Sequence, residues 1–338
     1  MGRGSKYRKW RHAAVMVALV AAAALLVRRQ FPDPEALIDQ LSSVNVGWAA
    51  LAVAAGLTSQ LAFALQQHEL LAAFRVPVNR RDTIALTSAA NAISTVVPAG
   101  AVVSVAYTFR QYVARGATSA TATAVTVLSG VVSAVALITL AAGGLVTAAP
   151  ALLAVPAAAL LIVVVPKPRL PVDRARVKAR LTGHPRLWRL ARETHRVLRL
   201  GRQVRARDWA AVVVLAAGKW VFDLACLMLI AAAFGADLRW EHLAGVYLTV
   251  QVVRQVPLTP GGLGVIEASL LAGLAAAGAT AAEAVGIVVG YRLISFWLML
   301  PAGLAGYLYL RRDGRDAGEP AAVGTPPGRR AAAQRPPR

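Results

Sequence analysis

Charge is scarce in this 338-residue chain. Only 16% of its residues are Asp, Glu, Lys or Arg, against roughly 25% in a soluble globular domain. With 57% apolar residues, that shortage excludes an ordinary soluble fold. Acidic residues are the scarcest: 16 stand against 37 basic ones, a formal net charge of +21. There is one cysteine, Cys226, so no intramolecular disulfide can form. His12, His68, His184, His195 and His242 show no metal-ligand spacing. No glycine-rich loop is followed by Gly-Lys-Ser/Thr, and none follows a strand pattern, which removes both nucleotide-binding fingerprints. No cofactor and no metal are expected. Alternating ten-residue strands are also missing, which excludes a membrane β-barrel.

What is present is long apolar runs. Residues 12–27, 46–66, 117–142, 209–234 and 281–310 are continuous, and 151–165 is a shorter run followed by a basic loop. A span of about 30 Å of hydrocarbon takes about 20 residues of helix. Two further stretches, 83–109 and 242–277, are apolar but broken near their middles. The expected fold is an all-α polytopic membrane protein with eight apolar elements: about six full transmembrane helices plus two broken, re-entrant helical hairpins. The basic start and Ala-rich run of 1–27 superficially resemble a signal peptide. Arg28 and Arg29 follow it directly, and the expectation is an uncleaved first helix.

The charges set the topology. Of 37 Lys and Arg, 31 fall in segments that one orientation places on a single side; Arg28, Arg29 and Arg239 fall opposite. The positive-inside rule then puts both termini in the cytoplasm of a multi-pass plasma-membrane protein. Residues 1–11 read as a basic cytoplasmic N-terminus and 12–310 as the transmembrane domain, with halves 46–142 and 209–310. Between the halves lies a basic cytoplasmic loop, 166–208, whose apolar residues interleave with arginines as in surface-lying helices. A solvated linker is the alternative there. Residues 31–44 (FPDPEALIDQLSSV) read as a short interfacial helix on the opposite face, and 311–338 as a disordered cytoplasmic tail. This distribution excludes nucleic acid as a partner and points to anionic membrane lipids. Oligomeric state is not legible.

The broken stretches carry the functional information. The first is interrupted at VPAG (97–100), with Pro98 and Gly100; the second at PLTPGGLG (257–264), with Pro257, Thr259, Pro260, Gly261, Gly262 and Gly264. A shift of 162 residues brings Pro98 onto Pro260, Gly100 onto Gly262, and Gly116-Ala117-Thr118 onto Gly278-Ala279-Thr280. Each half thus reads helix, broken hairpin, helix. An odd number of crossings between corresponding elements makes the repeat inverted. Inverted repeats with paired discontinuous helices are a transporter architecture, with the site near the midplane between the breaks. Irregular backbone survives at membrane depth only when buried in protein or lining a wet cavity. The glycine-flanked helix starts would offer amides to an anion; a tight packing turn is the alternative.

Charges accompany the second break. Arg254 and Glu267 flank it almost symmetrically and would face one another in an antiparallel hairpin; Gln251 extends Arg254's polar face. Lys219 and Asp223, four apart, form a candidate intramembrane ion pair, and Arg292 interrupts the last apolar run. Charges at midplane cost at least about 2.5–3.5 kcal/mol each, so they belong in pairs or beside water. Arg254 and Arg292 are read as headgroup contacts.

At these residues a family resemblance becomes specific. PLTPGGLGVIEASL (257–270) resembles a signature in the membrane region of lysylphosphatidylglycerol synthases and related flippase-like proteins. NAISTVVPAGAVVSVAYTFRQYVARGAT (91–118), with Pro98, Gly100, Arg110 and Gly116, resembles that family's first-half motif, and YRLISFW (291–297) its final-helix motif. Where many such relatives carry Gly-Glu and Glu-Arg, this chain has Ser104-Val105 and Ser129-Gly130. The soluble aminoacyl-transferase domain of the synthases has no counterpart in the sequence, so lysyl transfer is not expected. The resemblance implies translocation of an anionic or aminoacylated lipid, or a lipid-linked precursor, between leaflets. Asn91, Arg110, Gln251, Arg254, Thr259, Gly261, Gly262, Gly264, Glu267 and Arg292 are the candidate lipid-path residues. No catalytic residue is expected, since one carboxylate without a neighbouring His, Asp or metal is a weak catalytic kit. The alternative is a membrane-embedded partner or scaffold of a separate lipid- or envelope-modifying enzyme.

Overall fold

The computed structural model describes residues 44–97, 100–145, 197, 199–201, 204–254 and 260–316. The expectations for 12–27, 151–165, the tail beyond 316, and nearly all of 31–44 and 166–203 lie outside these residues. So do Pro98, Pro257 and Thr259.

Among the described residues every regular element is helical. In chain order they are α1 (Val46–Ala73), α2 (Arg80–Val96), α3 (Gly100–Ala114), α4 (Ser119–Leu145), α5 (Ala206–Ala233) and α6 (Trp240–Arg254). A 3-10 turn (Pro260–Gly262) leads to α7 (Val265–Ala276); α8 (Ala281–Arg292) then runs through a π turn (Leu293–Trp297) into α9 (Met299–Asp316). Four helices are long and apolar enough to cross a membrane: Val46–Ala73, Ser119–Ala142, Ala206–Ala233 and Ala281–Arg312. The hairpin legs α2, α3, α6 and α7 have 17, 15, 15 and 12 residues. At 1.5 Å per residue none is as long as the hydrocarbon is thick.

The repeat read from the sequence recurs in the element boundaries. α1 and α5 start at 46 and 206, and α2 and α6 at 80 and 240, an offset of 160. Beyond the breaks α4 and α8 start at 119 and 281, an offset of 162. The second hairpin is therefore two residues longer than the first. The caps repeat as well. Ala236 N donates to Ala231 O at the end of α5 as Val76 N donates to Leu71 O at the end of α1, which is the 6→1 bond of a Schellman ending. Gly116 and Gly278, with φ of 92° and 99°, end α3 and α7 alike.

The two copies of the long helix run antiparallel. Asn45 N, at the start of α1, donates to Ala233 O at the end of α5 (2.9 Å). Ser59 Oγ donates to Lys219 O (2.8 Å), and each of these is the fourteenth residue of its helix. The crossing thus sits on a local two-fold axis relating the halves. There are two apolar cores, one around Leu70, Leu86, Tyr112 and Val125 with Trp209 and Val212 of α5, the other around Ile230, Tyr247, Leu274 and Ile287 with Ala52 and Ala55 of α1. Outside, Leu51, Leu57, Leu61, Val102, Val214 and Val252 are exposed. Inside are Gln66, Gln67, Asp223, Gln251, Glu267 and Arg292, all buried. Apolar outside and polar within is the arrangement hydrocarbon demands. α9 lies close along α2 because it presents glycine: a Cβ on Gly303 would come within 2.3 Å of Ala92 Cβ, and one on Gly306 within 2.4 Å of Ala85 O. Small residues permit such backbone approach between membrane helices.

Candidate functional site

The second break is built from left-handed backbone. Gly261, Gly262 and Gly264 have φ of 61°, 69° and 84°, a region that costs an L side chain roughly 1–2 kcal/mol. Space forbids a side chain as well: a Cβ on Gly261 would lie 2.6 Å from both Phe296 Cε2 and Thr95 O. Thr95 belongs to the last turn of α2, so the tips of the two hairpins touch here.

The turn aims Glu267 away from α6. Its Oε2 accepts from Gly264 N (2.7 Å), capping the first turn of its own helix. Its Oε1 takes Arg292 Nε of α8 at 2.6 Å, and the Arg292 and Glu267 side chains are 6% and 8% exposed. Arg292 also donates to Gly261 O (3.4 Å) and lies over the Phe296 ring. The expected facing of Arg254 and Glu267 is therefore replaced by Glu267 with Arg292. The left-handed glycines turn α7 so that its first-turn carboxylate meets α8.

Asp223, buried at the middle of α5, accepts from three neutral donors: Tyr247 OH (2.8 Å), Gln251 Nε2 (3.3 Å) and Tyr291 OH (3.3 Å). Arg254 lies near this cluster, within electrostatic reach of Tyr291 and Asp223. Lys219 lies over the Trp220 ring. Lys219 and Asp223 share a helix face as expected, yet they form no ion pair within 4 Å among the described residues. The reason is that α6 and α8 bring hydroxyl and amide donors to the carboxylate, while Lys219 turns to the indole.

Between the hairpins lies a cavity of about 1170 Å³. Lys219, Arg254 and Arg292 line it, and among the described residues no Asp or Glu does. The opposing wall comes from α1, α2 and α4: Gln60, Gln67, Asn91, Ser129 and Ser133. These side chains are tied together. Asn91 Nδ2 donates to Gln60 Oε1 (2.8 Å), Gln67 to Ser129 Oγ, and Tyr112 OH to Gln67 Oε1 (3.2 Å).

Of the sequence-predicted residues, Asn91, Gly261, Gly262, Arg254 and Arg292 meet at this cavity, together with Gly100, which opens α3. A Cβ on Gly100 would come within 2.3 Å of Ser94 O. Gln251 and Glu267 do not line the cavity: Glu267 holds Arg292 of its wall, and Gln251 donates to Asp223. Gly264 caps α7, and Pro260 begins the 3-10 turn. Arg110 is exposed on α3 and does not line the cavity. Sequence reasoning missed Gln60, Gln67, Ser129, Tyr112 and Tyr247. The signal available was the polar residue inside an apolar run, read for the charges but for only a few of the amides and hydroxyls.

The family described as "Lysylphosphatidylglycerol synthase TM region" matches residues 13–303, a stretch holding both hairpins and the whole cavity. The chain belongs to that family. A second similarity joins this member of the lysylphosphatidylglycerol synthase transmembrane-region family to a UPF0104 membrane protein of Methanothermobacter thermautotrophicus. The two are 31% identical over 90 residues, which is 27% of this chain and 27% of that protein. Family membership and the apolar helices together make the chain a multi-pass membrane protein. The PGGLG break, the first-half motif and YRLISFW, which suggested the family, supply Gly261, Asn91 and Arg292 to one cavity.

Proposed function

We propose that the chain moves a lipid with an anionic headgroup between leaflets, the headgroup crossing through the cavity while the acyl chains stay in the bilayer. One observation carries this reading: three basic side chains, Lys219, Arg254 and Arg292, line a cavity of about 1170 Å³ that no Asp or Glu lines among the described residues. The volume exceeds the ~300–1,000 Å³ of a typical small-ligand pocket. Membrane-buried cations beside a polar cavity mark substrate routes, and a guanidinium suits bidentate phosphate recognition. The touching tips of two broken hairpins supply irregular backbone at the place where such transporters bind.

The reading includes an inverted repeat of six full spans and two re-entrant hairpins, in the plasma membrane with both termini cytoplasmic. The charge asymmetry of the sequence, 31 basic residues against three, supports that orientation. No chemistry of its own is assigned to the protein. The motifs leave no nucleotide to drive it, so movement is passive or ion-coupled.

Reconstitution tests this. Proteoliposomes carrying the full chain and fluorescent phosphatidylglycerol should expose inner-leaflet lipid to an external quencher faster than protein-free vesicles do. Arg254→Gln should slow that movement at least about tenfold, the loss of a charge-assisted contact worth ~1.5–3 kcal/mol. Equal movement of phosphatidylglycerol and phosphatidylcholine, or movement of neither, would remove the anionic-lipid reading.

A further inference from the structure

The wall of the cavity is polar in its depth and apolar where it is exposed. Its exposed lining residues are Ala101 and Val105 of α3, Gly130, Ala134 and Ile138 of α4, and Val252 of α6. None carries a polar side chain. Among the described residues every basic, amide and hydroxyl side chain of that wall is buried or half-buried. An opening onto water has no need of an apolar rim, whereas an opening onto hydrocarbon requires one. α3 and α4 frame this opening. Val105 is 52% exposed, and a Cβ on Gly130 would meet nothing within 4 Å. α3 is correspondingly bare: of its 15 residues only Gly100 and Tyr112 are buried.

The second half closes the same seam. At the offset of 162, Val105 corresponds to Glu267, Gly130 to Arg292 and Ala134 to Phe296. Glu267 Oε1 holds Arg292 Nε at 2.6 Å between α7 and α8. Phe296 is buried, and α7 buries Ile266, Glu267, Leu270 and Leu274 within 12 residues. One half thus has an ionic clip between the second leg of its hairpin and the helix that follows. The other half has valine and glycine at those positions, and the cavity opens where the clip is missing.

We infer that the seam between α3 and α4 is a lateral portal, through which the acyl chains of a membrane lipid reach the bilayer while its headgroup occupies the cavity. The inference rests on the lipid reading of the cavity. Taking methylenes out of hydrocarbon into a polar cavity is unfavourable in proportion to the apolar area moved. A lipid therefore reaches Lys219, Arg254 and Arg292 only by a route that keeps its chains outside, and an apolar-rimmed slot is such a route. α3 starts at the break and ends on the side of Arg110 and Arg115. The portal accordingly serves that leaflet, the cytoplasmic one in the orientation proposed above.

Acyl-chain photolabelling tests this. Proteoliposomes of the full chain in phosphatidylcholine, with a trace of phosphatidylglycerol bearing a diazirine on one acyl chain, are irradiated and the labelled residues mapped by mass spectrometry. Label is expected on Ser104 and Thr108, half-buried cavity residues of α3, and not on their counterparts Ile266 and Leu270. Excess unlabelled phosphatidylglycerol should suppress that label and leave the label on the outward Leu57 and Val214. Label confined to outward faces overturns the inference. Label on Ser104 and Thr108 that no unlabelled lipid suppresses marks ordinary bilayer contact and overturns it too. None of this needs a variant to fold.

A second arm rebuilds the clip. Val105→Glu with Gly130→Arg should slow phosphatidylglycerol movement at least about tenfold, the yield of one charge-assisted contact holding the seam shut. Gly130→Arg alone should slow it less. Movement at the unmodified rate by the folded double variant, or equal slowing by Gly130→Arg alone, strikes the portal and leaves translocation standing. Suppressible labelling of the seam without any lipid movement upholds the portal as a lateral lipid site and strikes only the translocation reading.

Discussion

The two halves of this protein share boundaries, caps and a local two-fold axis, yet they bring different chemistry to the cavity between them. The first contributes amides and hydroxyls that bond to one another: Gln60 to Asn91, Gln67 to Ser129 and Tyr112. The second contributes Lys219, Arg254 and Arg292, with Glu267, the carboxylate that holds Arg292, set behind the wall. The breaks differ accordingly. The first places Gly100 directly against Ser94 O, while the second separates its two helices by ten residues against three and holds three left-handed glycines. Duplication fixed the frame, and the extra turn freed a helix end to carry charge. Symmetry of backbone does not require symmetry of function.

The sharpest way to break this comparison is to remove the charge pair that only the second half has. Glu267→Ala leaves Arg292 buried without its partner and Gly264 N without its cap. Breaking a buried pair from one side costs about 3–5 kcal/mol, so folded yield in detergent should fall steeply and thermal unfolding should move far down. Glu267→Gln retains one acceptor oxygen, enough for Gly264 N or for Arg292 but not for both, and should lose less than Glu267→Ala does. Exchanging the residues, Glu267→Arg with Arg292→Glu, should not restore stability, because an arginine at 267 cannot accept from Gly264 N and sits at the positive end of α7. Full restoration would mean the cap contributes nothing.

Next in size is the contact between the breaks. Gly261→Ala places a Cβ 2.6 Å from Phe296 and from Thr95 O, at φ 61°. Left-handed strain of roughly 1–2 kcal/mol adds to overpacking of roughly 1–3 kcal/mol. Gly116→Ala, at φ 92° but with open space around it, should show the strain alone. Equal losses from the two would mean that the hairpin tips part freely, and the touching tips would lose their place in the transport reading.

How much of this was legible in the sequence follows from what each pattern encodes. Apolar runs and Pro/Gly breaks are local, so the described helices and both breaks fell where those residues stand, and the repeat was visible through Pro98, Pro260, Gly116 and Gly278. Pairing is not local. Symmetric spacing about the break put Arg254 opposite Glu267, but three positive-φ glycines rotate α7, and Glu267 meets Arg292 instead. The spacing of Lys219 and Asp223 was read correctly as one face and wrongly as a pair, because Tyr247 and Tyr291 arrive from other helices. Arg110 belongs to a motif but points outward. Of the neutral wall only Asn91 was read, because isolated Gln and Ser in an apolar run look alike whether they line a cavity or bond across a helix interface.

A smaller effect compares the walls by transport. Asn91→Ala removes one neutral contact, worth about 0.5–1.5 kcal/mol, and should slow phosphatidylglycerol movement by roughly two- to tenfold, less than Arg254→Gln does. A larger loss from Asn91→Ala than from Arg254→Gln would reverse the assignment of the charged wall as the anchor.

The smallest test sits at the ends of α1 and α5, where the halves differ by one residue in the same conformation. The second half has Gly235 at φ 72°, and the first has Arg75 at φ 58°; both complete the same Schellman ending. An arginine there is strained by roughly 1–2 kcal/mol. Arg75→Gly relieves that strain, but it loosens the unfolded chain by about 0.4–1 kcal/mol. The net gain should be about 0.5–1 kcal/mol, a rise of roughly 1–4 °C in Tm for a chain of this size. Gly235→Ala, the reverse change, should lower Tm by a similar amount. Arg75→Ala separates backbone from charge: it keeps the left-handed strain and removes the guanidinium, so its Tm should stay near that of the unmodified chain. If Arg75→Gly and Arg75→Ala both lower Tm equally, the guanidinium contributes more than the backbone costs, and the first half keeps arginine there for its charge at the membrane surface.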